Sequence, residues 1–157
     1  MFFYIFFVIL LLLALFLVWR IAAADFRRRI IPDIYLLPLM VIGLLLNVFY
    51  QWPSDMVDAA VGAAMGYVVA VSIGFIFDSR LQKKNPGAPA PIGMGDVKLI
   101  TVGGLWLGAG ASFAVALLVA CVAGWIWGYV NKQKYIPFAP FFLMGGILSL
   151  IGKMFLL

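Results

Sequence analysis

The sequence contains no histidine and no glutamate, and it has a single cysteine, Cys121. Without histidine, Ser-His and Cys-His catalysis and most transition-metal sites are excluded. One cysteine cannot form an intrachain disulfide or a cysteine-rich zinc site. We therefore expect no metal and no other cofactor. Carboxylate chemistry must come from the six aspartates, which are Asp25, Asp33, Asp55, Asp58, Asp78 and Asp96.

Charged residues are also scarce, at 11%, whereas 66% of the 157 residues are hydrophobic. This composition predicts an integral membrane protein whose apolar exterior contacts the lipid bilayer. The formal net charge of +5 does not indicate nucleic-acid binding, because the basic residues lie in short connections between apolar segments. The fold class that follows is all-α and polytopic.

Six apolar segments predict about six transmembrane helices in one membrane-embedded domain, residues 1–157. The first, Phe2 to Ala24, is long enough to cross a bilayer and precedes a run of three arginines, which favours a retained helix over a signal peptide. The fourth, Asp96 to Leu107, is short and needs the support of a surrounding bundle. The remaining predicted spans are Ile34 to Tyr50, Val57 to Phe77, Ser112 to Val130 and Pro137 to Leu156.

The distribution of basic residues predicts the orientation of these segments. Lysine and arginine occur in the first, third and fifth connections but not in the second and fourth. The positive-inside rule then places the odd-numbered connections in the cytoplasm and both termini outside. Residues 78–95 are predicted to form the longest cytoplasmic loop, whereas Lys153 is the one basic residue expected on the outer side.

Small residues recur at every fourth position in two of the predicted spans. One stripe comprises Gly62, Gly66, Ala70 and Gly74, and the other Ser112, Ala116, Ala120, Gly124 and Gly128. Such stripes allow helix backbones to approach closely. They favour internal helix packing over a groove for a substrate helix.

Two aspartates fall at the predicted cytoplasmic boundary of the membrane. Asp25 ends the first apolar segment, and Asp96 opens the fourth within Gly-Met-Gly-Asp-Val-Lys, residues 93–98. A carboxylate at this position is costly to desolvate, so a functional role is favoured. Of two adjacent carboxyl groups, one stays protonated; the ionised one can accept a proton from water while the other binds a scissile carbonyl. The two residues therefore predict an aspartyl protease.

Each of these residues also has a structural interpretation. Asp96 can cap a helix N-terminus, and Asp25 can pair with Arg28 or Arg29 along a helix. Asp33 is predicted to cap the second span. Asp55 and Asp58 are assigned to an outer turn and helix start.

Four further residues lie near the predicted site. Gly93 and Gly95 lack a Cβ atom, so a substrate backbone can come close to Asp96. Asp78 faces the predicted cytoplasmic side and is a second candidate for the carboxylate chemistry. Lys98 either extends its side chain to the interface or influences the ionisation of Asp96.

The sequence resembles the type IV prepilin peptidase family, whose archaeal relatives are the preflagellin peptidases. Three segments in the family's order carry this resemblance: Asp25 to Pro32, in which Ile-Pro follows the aspartate; Gly93 to Leu99; and Ile136 to Phe141. In the third, Ala139 replaces the family's usual glycine.

The resemblance implies a multi-pass aspartyl protease of the cytoplasmic membrane. Such a protein removes basic leader peptides from prepilin or pseudopilin precursors at the cytoplasmic face. It also implies that Asp25 and Asp96 are catalytic and that Gly93, Gly95 and Pro137 contact the substrate.

Many bacterial members carry an extension with paired Cys-x-x-Cys motifs that is linked to N-methylation. With one cysteine, this chain is expected to be a short form with peptidase activity only. One alternative is a small transporter or channel component whose boundary aspartates bind ions or protons, although no internal repeat supports it. Another is an inactive assembly protein that retains the fold.

Overall fold

Six helices account for most of the computed structural model, which describes residues 2–87, 92–132 and 136–156. They are α1 (Phe2–Arg28), α2 (Asp33–Tyr50), α3 (Met56–Lys84), α4 (Met94–Leu107), α5 (Ala111–Asn131) and α6 (Phe138–Leu156). The helices α1, α2, α3 and α5 are each long and apolar enough to cross a membrane, and α6 contains a shorter apolar helix. The prediction of an all-α, multi-pass membrane protein is confirmed.

The turn between α1 and α2 is made by local backbone geometry. Arg29 adopts a left-handed conformation with a φ of 56°, and its N–H donates to the carbonyl oxygen of Asp25 at 2.9 Å. Pro32 is the N-cap of α2, where it needs no N–H donor. Asp33, predicted as the cap, is instead the first helical residue. Its negative charge still suits the positive end of the helix dipole.

The third helix is longer than predicted. It continues past Phe77 to Lys84, so residues 78–84 of the predicted loop are helical, and residues 88–91 lie outside the described residues. Arginine, leucine, glutamine and lysine in this stretch are good helix formers, so the helix extends into water although the apolar run has ended. Its 29 residues correspond to about 44 Å, more than the roughly 30 Å of a bilayer core. The helix stops only at Asn85, before Pro86.

The short helix α4 occupies the centre of the bundle. It contacts α2, α3, α5 and α6, and eight of its 14 residues are buried. At 1.5 Å per residue it is only about 21 Å long, and the surrounding helices shield it from lipid. The prediction that this segment lies within the bundle is consistent with these contacts.

Glycine makes the closest of these contacts possible. A Cβ atom at Gly62 in α3 would overlap the carbonyl oxygen of Gly104 in α4, and one at Gly66 would lie 2.7 Å from the carbonyl oxygen of Ile100. In the same way, a Cβ atom at Gly145 in α6 would lie 2.7 Å from the carbonyl oxygen of Ala116 in α5. Both small-residue stripes are therefore used for helix packing, as predicted.

Two buried hydrogen bonds set the position of α4 relative to α2. The Asn47 side chain donates to the carbonyl oxygen of Leu105 at 3.1 Å, and the Trp106 indole N–H donates to the carbonyl oxygen of Leu39 at 3.0 Å. In an apolar surrounding, each donor would be costly to leave unpaired. These bonds restrict sliding of α4 along its neighbour and so define where its N-terminus, with Asp96, is placed.

Candidate active site

Asp25 lies in the last turn of α1 and is only 5% exposed. Its Oδ2 atom accepts a hydrogen bond of 2.9 Å from the backbone N–H of Ala139, near the start of α6. The first N–H groups of a helix have no partner within the helix and carry a partial positive charge. The N-terminus of α6 therefore supplies both a hydrogen-bond donor and a favourable electrostatic field for the buried carboxylate of Asp25.

Asp25 was also predicted to interact with Arg28 or Arg29, and an interaction with Arg29 is found. The positive charge of Arg29 acts on the Asp25 carboxylate. The Arg29 guanidinium also lies 5.8 Å from the centre of the Trp127 ring. An arginine contact and a catalytic role are compatible, because the arginine offsets part of the cost of holding a charge at this depth.

Asp96 is the third residue of α4, and Gly93 is the N-cap. Its Oδ2 atom accepts a hydrogen bond of 3.3 Å from the Gly93 N–H, the contact that a capping box makes from this position. Asp96 is half-buried, and among the described residues no donor reaches its Oδ1 atom. Asp96 therefore does cap the N-terminus of α4, as the structural interpretation predicted, but it does so with Oδ2 and leaves Oδ1 available for chemistry.

The negative charge of Asp25 acts on the Asp96 carboxyl group and disfavours its ionisation. The fold thus brings together two aspartates that are 71 positions apart in the chain, since 96 − 25 = 71. At such proximity, ionisation of one carboxyl group opposes ionisation of the other, and the pair tends to hold one proton. The expectation that both residues lie at the same end of the bundle agrees with this placement.

Gly95 allows the two carboxylates to approach. A Cβ atom at Gly95 would lie 3.0 Å from the Cβ atom of Ile31, which is buried in the connection between α1 and α2. A larger residue would therefore push the first turn of α4 away from this connection and from Asp25. The contact with Ile31 thus gives Gly95 a role in packing. The predicted contacts of Gly95 and of the exposed Gly93 with a substrate stay predictions.

Pro137 and Ala139 form the start of α6 beside Asp25. Both are fully buried. The burial of Pro137 favours a role in holding this segment in place over direct contact with a substrate. Ala139, at the position of the family's usual glycine, is small and supplies its backbone N–H to Asp25.

The sequence did not reveal an aromatic cluster that surrounds this corner of the molecule. The ring centre of Trp127 lies 5.8 Å from that of Phe26 and 6.1 Å from that of Phe141. The cluster joins the ends of α1, α5 and α6 around Asp25. In the sequence, the only sign of this cluster is that its aromatic residues lie beside the predicted motifs. Spacing along the chain does not indicate contacts between distant helices.

Lys98 has a partner that neither of its predicted roles included. Its Nζ atom lies 2.6 Å from Oδ2 of Asp33, and both side chains are about half exposed, at 48% and 51%. The ion pair connects the first residue of α2 with the first turns of α4, next to Asp96. Exposed pairs contribute only about 0.2–1 kcal/mol, so we assign it a minor share of the site's stability.

The other aspartates are engaged elsewhere. Asp55 caps α3 by accepting the N–H of Asp58 at 2.7 Å, and Asp58 accepts the N–H of Ala109 at 3.0 Å at the opposite end of α4. Asp78 accepts a side-chain hydrogen bond from Gln82, one turn along α3. None of these three aspartates contacts Asp25 or Asp96 through the hydrogen bonds described, and the assignment of Asp25 and Asp96 as the catalytic pair stays a prediction.

A known protein family matches most of this chain. Residues 2–129, which include Asp25 and Asp96, match the model of the type IV leader peptidase family. The chain belongs to this family. The match of the type IV leader peptidase model ends before α6, so the Ala139 donor to Asp25 lies beyond the matched residues.

The names of curated relatives of this chain refer to the processing of prepilin leader peptides. A "Prepilin leader peptidase/N-methyltransferase" of Aeromonas salmonicida is 32% identical over 150 residues, 89% of this chain and 49% of the relative. A "Type 4 prepilin-like proteins leader peptide-processing enzyme" of Escherichia coli O78:H11 is 30% identical over 136 residues, 84% of this chain and 48% of the relative. The chain therefore spans about half the length of the curated relatives it matches. No solved structure matches it.

Proposed function

We propose that this chain is a membrane aspartyl endopeptidase that removes the leader peptide from type IV prepilin or pseudopilin precursors. The observation that carries the proposal is the proximity of the Asp25 and Asp96 carboxyl groups at one end of the helix bundle. Membership of the leader peptidase family and the printed names of the relatives support the same substrate class.

The proposed mechanism uses the two carboxyl groups and one water molecule. The ionised carboxylate takes a proton from water, and the water oxygen attacks the scissile carbonyl carbon. The protonated carboxyl group donates its hydrogen bond, and then its proton, to the carbonyl oxygen. When the C–N bond breaks, the carboxyl group that took the proton from water gives it to the leaving nitrogen, and the other carboxylate takes a proton from a hydroxyl of the tetrahedral intermediate, so the pair again holds one proton.

We place the site at the cytoplasmic face of the inner membrane. Basic residues at the same end of the bundle support this orientation, since Arg27, Arg28 and Arg29 adjoin Asp25 and since Lys83 and Lys84 end α3. Residues 78–95, of which the first seven are helical, then form the cytoplasmic segment that leads into Asp96. A substrate cut here would have its leader in the cytoplasm and its apolar segment in the bilayer.

Gly93 and Gly95 are proposed to allow the substrate backbone to approach the pair. Gly93 is exposed, and open space surrounds the position of a Cβ atom there apart from Asp96 Oδ2 at 3.5 Å. The exposed Met94 lies between them and adds an apolar contact surface.

The decisive experiment is leader cleavage in membranes that contain the protein with Asp25→Asn or Asp96→Asn. Asparagine preserves size but cannot ionise, so each variant should lose at least about 100-fold in cleavage rate. The double variant should be no slower than either single one, because the two groups act as a unit. Gel shift of a prepilin substrate in membranes provides the measurement, with protein levels matched.

Asp33→Asn and Asp78→Asn are the matched controls at the same face, and both should retain most activity. Substantial cleavage by either the Asp25 or the Asp96 variant would exclude the mechanism. A wild-type protein that transports ions but leaves every prepilin uncut would instead favour the transporter interpretation.

A further inference from the structure

A second feature of the bundle, separate from the aspartate pair, is an apolar cavity of about 200 Å³. It lies between α1, α2, α4 and α6, and its α1 wall runs from Leu11 to Val18. Val18 is seven residues, or about 10 Å, before Asp25, whereas Leu99 in the α4 wall follows Asp96 by only three residues, so the cavity extends from near the aspartate pair toward the other end of the bundle. The proposed proteolysis makes no use of it.

The cavity opens toward the surface that contacts lipid. Several lining residues are also on the outside of the bundle: Leu15 is 53% exposed and Ile151 is 44% exposed. These side chains belong to α1 and α6, so the opening lies between those two helices. A hydrocarbon chain from the bilayer can therefore reach the cavity without crossing any polar group.

The volume restricts what the cavity can hold. A helix with its side chains is about 10–12 Å in diameter, so even two turns need several hundred Å³. Apolar cavities of about 150 Å³ in proteins stay dry and bind benzene. A space of about 200 Å³ therefore fits a single hydrocarbon chain and is too small to enclose a helix of a protein partner.

A positive charge lies at the outer end of this cavity. The Lys153 Nζ atom donates to the carbonyl oxygen of Leu107 at 3.3 Å and to that of Pro53 at 3.1 Å. Leu107 lines the cavity, and Pro53 follows the lining residue Trp52. Within the part of the chain that the structure describes, no carboxylate forms an ion pair with this ammonium group, although Asp58 accepts the N–H of Ala109, two residues after Leu107.

We propose that this site binds an anionic phospholipid, with one acyl chain in the cavity and its phosphate beside Lys153. Charge complementarity selects the headgroup, because an ammonium group at the membrane boundary favours a phosphodiester with net negative charge over a zwitterion. The apolar wall selects the hydrocarbon chain. Lys153, the one basic residue predicted on the outer side, thereby acquires a role that orientation alone does not explain.

The test measures lipid binding directly and needs no peptide substrate. Native mass spectrometry of the full chain in detergent, titrated with phosphatidylglycerol, should show one tightly bound lipid, and phosphatidylcholine should bind at least about tenfold more weakly. Lys153→Gln should reduce the difference between the two lipids to less than about threefold. Glycerol phosphate, which has the charge without the chains, should not bind detectably.

Gly146→Leu tests the cavity itself. A Cβ atom there meets only Leu107 Cδ1 at 3.9 Å, so a leucine can enter the cavity without a backbone clash. It should weaken phosphatidylglycerol binding at least about tenfold. Gly152→Leu is the matched control on the same helix, because a Cβ atom there meets nothing within 4 Å and the residue does not line the cavity. Leu15→Trp, which closes the opening from the lipid side, provides a second cavity variant should Gly146→Leu fail to fold.

Equal binding of both lipids, or unchanged selectivity in Lys153→Gln, would overturn the proposal. So would full binding by a folded Gly146→Leu or Leu15→Trp protein. A variant that keeps its lipid but loses affinity for a prepilin's apolar segment would assign the cavity to the substrate instead. Loss of leader cleavage in the aspartate variants has no bearing on these outcomes.

Discussion

Asp25 illustrates how the chemistry of one side chain depends on a single backbone atom elsewhere. Its carboxylate is buried, and the N–H of Ala139 donates to it at 2.9 Å from a position 114 residues further along the chain. A charge that is buried without such a donor is strongly destabilised. The start of α6 therefore belongs to the candidate site although it carries no ionisable group there.

This dependence predicts the effect of Ala139→Pro. Proline is tolerated in the first turn of a helix but has no N–H, so the helix can form while Asp25 loses its donor. A hydrogen bond to a charged group contributes about 1.5–3 kcal/mol, so leader cleavage should fall roughly 10- to 100-fold.

Ala139→Gly keeps the donor and should cleave at nearly the wild-type rate. Initial cleavage rates at equal amounts of inserted protein compare the two variants. Wild-type activity in Ala139→Pro would show that this hydrogen bond is not required.

At the scale of elements, the contact between α3 and α4 decides whether Asp96 is held in place. Gly62 and Gly104 allow the two backbones to touch, and a Cβ atom at either position would overlap the opposite chain. The glycine stripe was readable from the sequence because helical spacing places its members on one face. Which helix it faces was not readable, since both predicted stripes look alike.

Gly62→Ala should therefore destabilise the protein by about 1–3 kcal/mol, the usual cost of overpacking a tight contact. Gly74→Ala is the same substitution on the same stripe, but its Cβ atom would meet Ile92 at an ordinary 3.8 Å. It should be neutral or stabilising by up to about 1 kcal/mol, because alanine favours a helix more than glycine does. Thermal unfolding in detergent measures both, and equal stability of the two variants would contradict the packing model.

At the scale of the whole molecule, orientation in the membrane decides which compartment supplies the substrate. We propose that the aspartate pair, Arg27 to Arg29 and the end of α3 face the cytoplasm, and that the connection between α4 and α5 faces the outside. Ser54, in the second connection, is only 7% exposed, so a cysteine placed there would react poorly with a labelling reagent from either side of the membrane. Gly110 is exposed, with open space around its Cβ position, and is a better one.

The orientation is tested with Gly110→Cys and Lys83→Cys in a Cys121→Ala background. An impermeant thiol reagent added to intact cells should label Gly110→Cys, whereas Lys83→Cys should react only after permeabilisation. Both variants change exposed positions at helix ends, so folding should be preserved. The reverse labelling pattern would place the aspartate pair outside the cell and end the proposal of cytoplasmic cleavage.

The sequence by itself determined the helices and the residues capable of chemistry. Helix hydrogen bonds are local and a bilayer demands long apolar segments, so hydropathy located all six helices, with α3 misjudged only where it leaves the membrane. The absence of histidine and glutamate reduced the candidate groups to six aspartates.

Only the tertiary structure decided which of these groups meet. The proximity of Asp25 to Asp96, the Ala139 donor and the pair of Lys98 with Asp33 join residues 65 to 114 positions apart. Such contacts depend on how side chains of several helices fit together, and local periodicity carries no record of that fit.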